Sequence, residues 1–246
     1  MKPEYRVVVS TCDKYIEAVR PFAYLMDKYW DNPPDVVVLG FTPPSFKLPP
    51  NFEFVSVGRQ EDYPVTKWSD QLIDGLNMIP DEVFVFMLED MWITRHVDTR
   101  VMTMAYDYMR QFEYVARLDV TGDRWCAFDE NGKRPGLHGK LGHVDLVTSN
   151  PDGQYHLSTM PAFWRKKHLL RVLIRGESPW QVELEGTPRL GALRNEMIVI
   201  GTNAWPLKNT LAFRGGDPGE LLLHEVDAND VKMMKALHLL DNWKVK

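Results

Sequence analysis

Cysteine is scarce: 246 residues contain only Cys12 and Cys126. Two such residues form neither a disulfide framework nor a metal-ligand spacing, so a reduced, cytoplasmic setting is the expectation. No apolar run approaches the ~20 residues that span a bilayer. The start, MKPEYRVVVS, lacks the apolar core and small-residue cleavage site of a signal peptide. Surplus basic charge is also missing. With 29 Lys and Arg against 34 Asp and Glu, the formal net charge is −5. That argues against a broad nucleic-acid surface, though not against a local basic groove. Neither G-x-G-x-x-G nor a P-loop occurs, which sets aside a dinucleotide-dependent dehydrogenase and a P-loop NTPase. No G-x-S-x-G elbow or cysteine-centred signature is present. The histidines are scattered, and His138 and His143 lack a metal-helix spacing, so none is assigned as a ligand. There is no internal repeat and no low-complexity tract.

What is present suffices for a full core: 44% hydrophobic and 11% aromatic residues, including eight tryptophans. Tryptophan suits flat faces such as bases and sugar rings. Tyr5 to Ser10 is an apolar, β-branched run and predicts the first strand. Helical spacing follows from Tyr15 to Trp30, with Pro21 expected to kink or restart the helix. Asp35 to Phe41 and Phe52 to Val57 predict two strands around a proline-rich loop. Trp68-Ser69-Asp70 opens the next helix, with Ser69 as the expected N-cap. Val83 to Leu88 (VFVFML) is uninterruptedly apolar, the mark of a strand buried on both faces.

Further on, Val97 to Gln111 reads as a helix and Tyr114 to Val120 as a strand. Val144 to Thr148 and Tyr155 to Thr159 read as short strands, and Pro161 to Ile174 as a helix. Ser178-Pro179-Trp180 starts another helix. Met197 to Ile200 reads as a strand, Gly201 to Gly219 as a long loop and Ala228 to Leu240 as a terminal helix. Alternation of this kind predicts an α/β fold with flanking helices. Its first half is mostly parallel, and its C-terminal extension is mixed or antiparallel.

Three places carry candidate chemistry. Glu89 and Asp90 end the VFVFML strand, on the edge where open α/β sheets bind ligands. A hard divalent cation that keeps substrate phosphates needs only one or two carboxylates. The alternative is the solvated end of a core strand. Thr11, Asp13 and Lys14 lie at a strand-to-helix turn, where amides and short polar side chains can hold a nucleotide. The alternative there is a plain N-cap at Asp13. Glu183 and Glu185 follow the Ser178 helix start, where the positive dipole end favours an ionised base. Solvated carboxylates are the alternative. Arg214, before Gly215-Gly216, offers either a phosphate contact or an ordinary turn.

The order of several motifs carries a family resemblance. They are Ser10-Thr11-Cys12-Asp13-Lys14-Tyr15, Pro21-Phe22, Lys28-Tyr29-Trp30, Trp68-Ser69-Asp70 and Leu88-Glu89-Asp90-Met91-Trp92-Ile93. Phe163-Trp164-Arg165-Lys166 and Glu177-Ser178-Pro179-Trp180 with Glu183 follow. Over roughly residues 5–216 the chain resembles small bacterial and phage sugar transferases of the type-A glycosyltransferase (GT-A) fold, found among surface-polysaccharide genes.

That resemblance implies a Rossmann-like mixed sheet in one domain over residues 1–246. Residues 1–96 would be a nucleotide-binding half and 97–246 an acceptor-binding half. A phage-encoded member would work in the host cytoplasm. A nucleotide-sugar donor would lie near Thr11, Asp13, Lys14, Trp68, Ser69, Asp70, Glu89, Asp90 and Arg214. The loop from Asn203 to Gly216 would close over its diphosphate. The Glu89-Asp90 pair falls where the fold carries its Asp-x-Asp metal motif. Here Met91 and Trp92 stand where a second acid would, so Asp90 alone is expected to meet Mg²⁺ or Mn²⁺. Glu183 matches the general base of inverting members, and Trp164 and Trp180 would shape the acceptor side. The acceptor would be a glycan or another hydroxyl.

One competing reading keeps the fold and takes a modified base in DNA as acceptor. Its basic path would run through Lys14, Lys133, Arg134, Lys140, Arg165, Lys166, Lys167, Arg171 and Arg175. A nucleotidyltransferase is another, and would use paired metal carboxylates more fully. A third is a non-catalytic nucleotide- or glycan-binding module of the same fold.

Overall fold

The computed structural model describes residues 2–126, 135–213 and 220–245. Its strands are β1 (Val7–Ser10), β2 (Val36–Gly40), β3 (Phe52–Ser56), β4 (Val83–Leu88), β5 (Met91–Ile93), β6 (Val115–Asp119) and β7 (Leu137–Leu141). They continue with β8 (Val144–Thr148), β9 (Ala162–Arg165), β10 (Ile198–Thr202), β11 (Asn209–Leu211), β12 (Glu220–Leu221) and β13 (Lys244–Val245). The helices are α1 (Val19–Tyr29), α2 (Trp68–Met78), α3 (Thr99–Gln111), α4 (Asp123–Cys126), α5 (Lys166–Val172), α6 (Pro179–Ala192) and α7 (Ala228–Ala236). No helix among the described residues is long and apolar enough to cross a membrane.

Nine strands form one sheet in the order β3-β2-β1-β4-β9-β6-β10-β8-β7. The first four are mutually parallel. β9 runs antiparallel between β4 and β6, and β10 is parallel to β6. β8 and β7 close the far edge antiparallel. The C-terminal ends of β1, β4 and β6 therefore open onto one edge. β5 and β11 pair separately just beyond it.

The apolar runs are continuous because each strand feeds two cores. Val7, Val9, Val83, Val85 and Met87 face a core shared with α1 and α3. Val8, Phe84 and Phe86 face a second core shared with α2, α5 and α6. Alternate side chains of a strand point to opposite faces, so a strand between two helical layers has no polar side. Each fully buried side chain of this kind contributes about 1.5–3 kcal/mol.

Several local expectations change. Pro21 does restart the helix: a 3₁₀ turn at Ile16–Ala18 precedes α1. Ser69 is not an N-cap. It lies inside the first turn of α2, where its Oγ accepts from Glu177 N–H at 3.0 Å and its own N–H donates to the Glu177 carbonyl. A tertiary partner has replaced the local cap. The helix expected from Pro161 is β9 up to Arg165. Phe163 enters one core while Ala162 and Trp164 enter the other, a two-residue period hidden in an all-apolar run. Tyr155 to Thr159 is not a strand. The stretch read as one loop from Gly201 contains β11.

Candidate functional site

A cavity of about 1090 Å³ opens at the shared strand edge. β1 supplies Ser10, and Thr11, Cys12 and Lys14 follow in the turn after it. β4 supplies Leu88, with Glu89 and Asp90 directly beyond. Trp68 and Gln71 of α2, with Tyr63, close that side. The opposite wall comes from Arg117 and Asp119 of β6, Asp123 and Arg124 of α4, Thr159, and Trp180 and Glu183 of α6.

On the first wall, burial pushes the Glu89 carboxyl well above the ordinary glutamate range, and Asp90 beside it adds to the rise. Burial raises Asp90 as well, to about 6. Asp90 Oδ1 and Ser10 Oγ are buried with no hydrogen-bond partner. Buried polar atoms are almost always paired, and both atoms stand at the cavity, where a ligand could supply the partner; Arg117 Nε and Nη1 on the opposite wall are in the same condition. The two carboxylates and the orphaned oxygen fit a hard divalent cation whose remaining ligands are waters and substrate phosphates. Among the described residues no cluster of three or more His, Cys, Asp or Glu side chains forms a metal cage by itself. Burial pushes the Cys12 thiol up to about 11, with a further rise from Glu89. At neutral pH it is no thiolate nucleophile.

The second wall is organised differently. Asp119 is 1% exposed and forms ion pairs with both Arg117 and Arg124. Gly201 of β10 makes room for them: a Cβ there would meet Arg124 Cγ at 2.7 Å and Asp119 Cβ at 3.0 Å. Arg117 stacks over the Trp164 ring at 5.3 Å. Burial lowers its guanidinium to about 10 against the opposing pull of Asp119. Glu183 is half-buried. Its Oε1 accepts from the Thr159 N–H at 2.6 Å and from the Thr159 hydroxyl at 2.9 Å. α6 begins with a capping box between Ser178 and Gln181 and has Pro179 in its first turn. This fixes the helix that carries Glu183. Trp180, 58% exposed, stands at the cavity mouth.

No family model matches the chain, and no curated protein does. Among solved structures, the chain is similar to a UTP-bound UGPase from Acinetobacter baumannii at 6% identity and a TM-score of 0.50, covering 97% of this chain and 94% of that one. The fold is GT-A-like. S. aureus TarS is similar at 14% identity and a TM-score of 0.48, over 86% of this chain and 37% of that one. A TarS 1–349 structure in complex with UDP-GlcNAc is similar at 16% identity and 0.48, over 81% and 56%.

Within this GT-A-like fold, the cavity gathers Thr11, Lys14, Trp68, Glu89, Asp90, Trp180 and Glu183 from distant parts of the sequence. Four other candidates lie off its wall. The Asp13 carboxylate accepts from the Thr42 N–H and hydroxyl, both at 2.9 Å. Ser69 is fully buried against Glu177. Asp70 accepts from Gly176 N–H at 2.6 Å and pairs with Arg175. Trp164 is 1% exposed, a core ring beneath Arg117. Arg214 lies outside the described residues.

Sequence reasoning passed over Arg117, Asp119, Arg124 and Thr159. A signal existed for two of them: Arg117 and Asp119 alternate with Ala116, Leu118 and Val120 in an apolar strand. Charges on one face of a strand buried on both sides need partners or a task.

Most of the described side chains on the expected basic path are already engaged. Arg165 is buried, bonded to the Met109 and Phe112 carbonyls. Lys140, Lys166, Lys167, Arg171 and Arg175 each pair with a carboxylate. Lys133 and Arg134 lie outside the described residues.

Proposed function

We propose that the protein transfers a sugar from a nucleotide-sugar donor to an acceptor hydroxyl, with inversion at the anomeric carbon. One observation carries the reading. A single cavity holds two adjacent carboxylates on one wall and an anchored glutamate on the other.

The donor lies over the first wall, its base and ribose near Thr11 and Trp68 and its diphosphate toward Lys14, Glu89 and Asp90. Asp90, together with Glu89, would hold Mg²⁺ or Mn²⁺ beside the donor. When bound, that cation offsets the charge that builds on the leaving group. Arg214 is assigned to the same phosphates.

The acceptor enters past the exposed Trp180 ring. Glu183 takes the proton of its hydroxyl as that oxygen forms a bond to the donor's anomeric carbon. The bond from that carbon to the diphosphate oxygen breaks, and the nucleoside diphosphate leaves with the electron pair. Attack from the face opposite the diphosphate inverts the centre.

A glycan hydroxyl is favoured over a base in DNA, because along the path proposed for DNA Arg165 is buried and Lys140, Lys166, Lys167, Arg171 and Arg175 are paired with carboxylates. In Glu183→Gln, donor hydrolysis and transfer drop by ~10²-fold or more, the usual share of a general base. Near-normal turnover in that variant would remove Glu183 from the role. A nucleotide-sugar that binds wild type with no turnover on water or any acceptor would support a binding module instead.

A further inference from the structure

The segment from Tyr155 to Met160 has no regular secondary structure, yet it is held at almost every residue. Arg124 donates to the Tyr155 carbonyl at 2.7 Å and to the His156 carbonyl at 2.9 Å. Thr187 Oγ1 accepts from the Leu157 N–H at 3.1 Å and donates to its carbonyl at 3.3 Å. Arg117 donates to the Met160 carbonyl at 3.2 Å. Asp119 orients both arginines by pairing with each. Tyr155 itself has φ +53°, a left-handed conformation that a non-glycine residue keeps only when its surroundings impose it. These ties surround Thr159 at the cavity wall. Thr159 presents both its N–H and its hydroxyl to a single oxygen, Oε1 of Glu183.

We propose that Thr159 is the positioning residue for Glu183. Its two hydrogen bonds hold Oε1, fix the plane of the carboxylate and leave Oε2 turned to the acceptor hydroxyl. A glutamate side chain otherwise samples several rotamers, and ordering it costs free energy at each turnover. A base held in one orientation meets the acceptor proton in reactive geometry, and small misplacements there cost large rate factors. The Asp119–Arg117–Arg124 ion network is the frame that keeps Thr159 in place. This inference rests on the assignment of Glu183 as the base.

The test uses the full chain and needs no acceptor beyond water: hydrolysis of the nucleotide sugar, among UDP-, GDP- and dTDP-sugars, that raises the melting temperature most. Thr159→Val, which keeps the volume and the backbone N–H, is expected to lower kcat by about 10- to 100-fold with the donor KM unchanged. Thr159→Ser restores the hydroxyl and is expected to bring kcat back close to wild type. Wild-type kcat in Thr159→Val would overturn the proposal. So would equal losses in the Val and Ser variants, or a loss that follows a fall in melting temperature. Glu183→Gln separates the two claims. If it is inactive while Thr159→Val is fully active, only the positioning role fails; if it is active, the base assignment itself fails.

Discussion

On the β1–β4 side of the cavity, buried Glu89 stands beside partly exposed Asp90, whose Oδ1 is buried without a hydrogen-bond partner. On the β6 side, Asp119 is at least as buried but sits between two guanidinium groups. Among the described residues Glu89 and Asp90 form no ion pair, whereas Asp119 pairs with two arginines. A buried carboxylate pair that lacks a cation is destabilising in the free protein and becomes favourable when a cation and its phosphates arrive. A charge-paired network, by contrast, can serve as a rigid frame, even with Arg117 Nε and Nη1 left without hydrogen-bond partners. On the proposed reading the difference is a division of labour: one wall receives charge and the other holds Glu183 still.

Substitutions on the two walls should therefore act in opposite directions. Asp119→Asn leaves two buried guanidinium groups without a counter-charge and should destabilise the ligand-free protein by about 3–5 kcal/mol in denaturant titration. Glu89→Gln, at a similarly buried carboxylate, should leave ligand-free stability unchanged or raise it. Comparable losses in both variants would break the comparison.

A smaller effect is expected at Gly201, whose Cβ would press on the near end of the Arg124 side chain and on Asp119. Gly201→Ala should cost about 1–3 kcal/mol in the same assay, the usual range for overpacking. Wild-type stability there would show that the ion network has slack.

The smallest effect is a pH slope. His156 is buried beside Arg124, with Nδ1 2.8 Å from Ser149 Oγ. Burial first, and then the arginines' charge, lowers its pKa to about 3. The unfolded chain, with an ordinary value near 6.5, binds more protons than the folded one between those limits. Stability is complete above pH ~6.5 and falls as the pH drops toward 3, at up to about 1.4 kcal/mol per pH unit. His156→Asn should remove this contribution. Unfolding free energies of wild type and variant between pH 7 and 5 should diverge by about 2 kcal/mol. Parallel curves would place a protonated His156 in the folded state.

The two walls also differed in how far the sequence disclosed them. The first half is built from short continuous apolar runs broken by turn residues. Their period and length give β1, β2, β3 and β4, and the acids after VFVFML fall at the strand edge where they lie in the structure. The Ser178-Pro179 helix start predicts the helix on which Glu183 reaches the cavity, while its role as a base is implied by the family resemblance alone. Residues whose side chains bond away from the cavity were not separable from those that line it. Asp13 and Thr11 share one turn, but Asp13 is taken up by Thr42, a contact across 29 positions. The second wall depends on long-range pairing. β9 hides its two-residue period in AFWR, and the Thr159 segment is shaped by arginines rather than by its own propensity. Arg117 and Asp119 look like an ordinary charged strand until β9 and β10 bury them on both sides.

The central claim is that the first wall receives a nucleotide sugar with a divalent cation. Calorimetric titration of UDP-, GDP- and dTDP-sugars into wild type and Asp90→Asn, each with and without Mn²⁺, tests it most directly. One donor should bind wild type more tightly with Mn²⁺, and Asp90→Asn should weaken that binding by about tenfold or more, some 1.4 kcal/mol. Absence of binding by every donor with and without Mn²⁺, or an affinity unchanged in Asp90→Asn, would contradict the account.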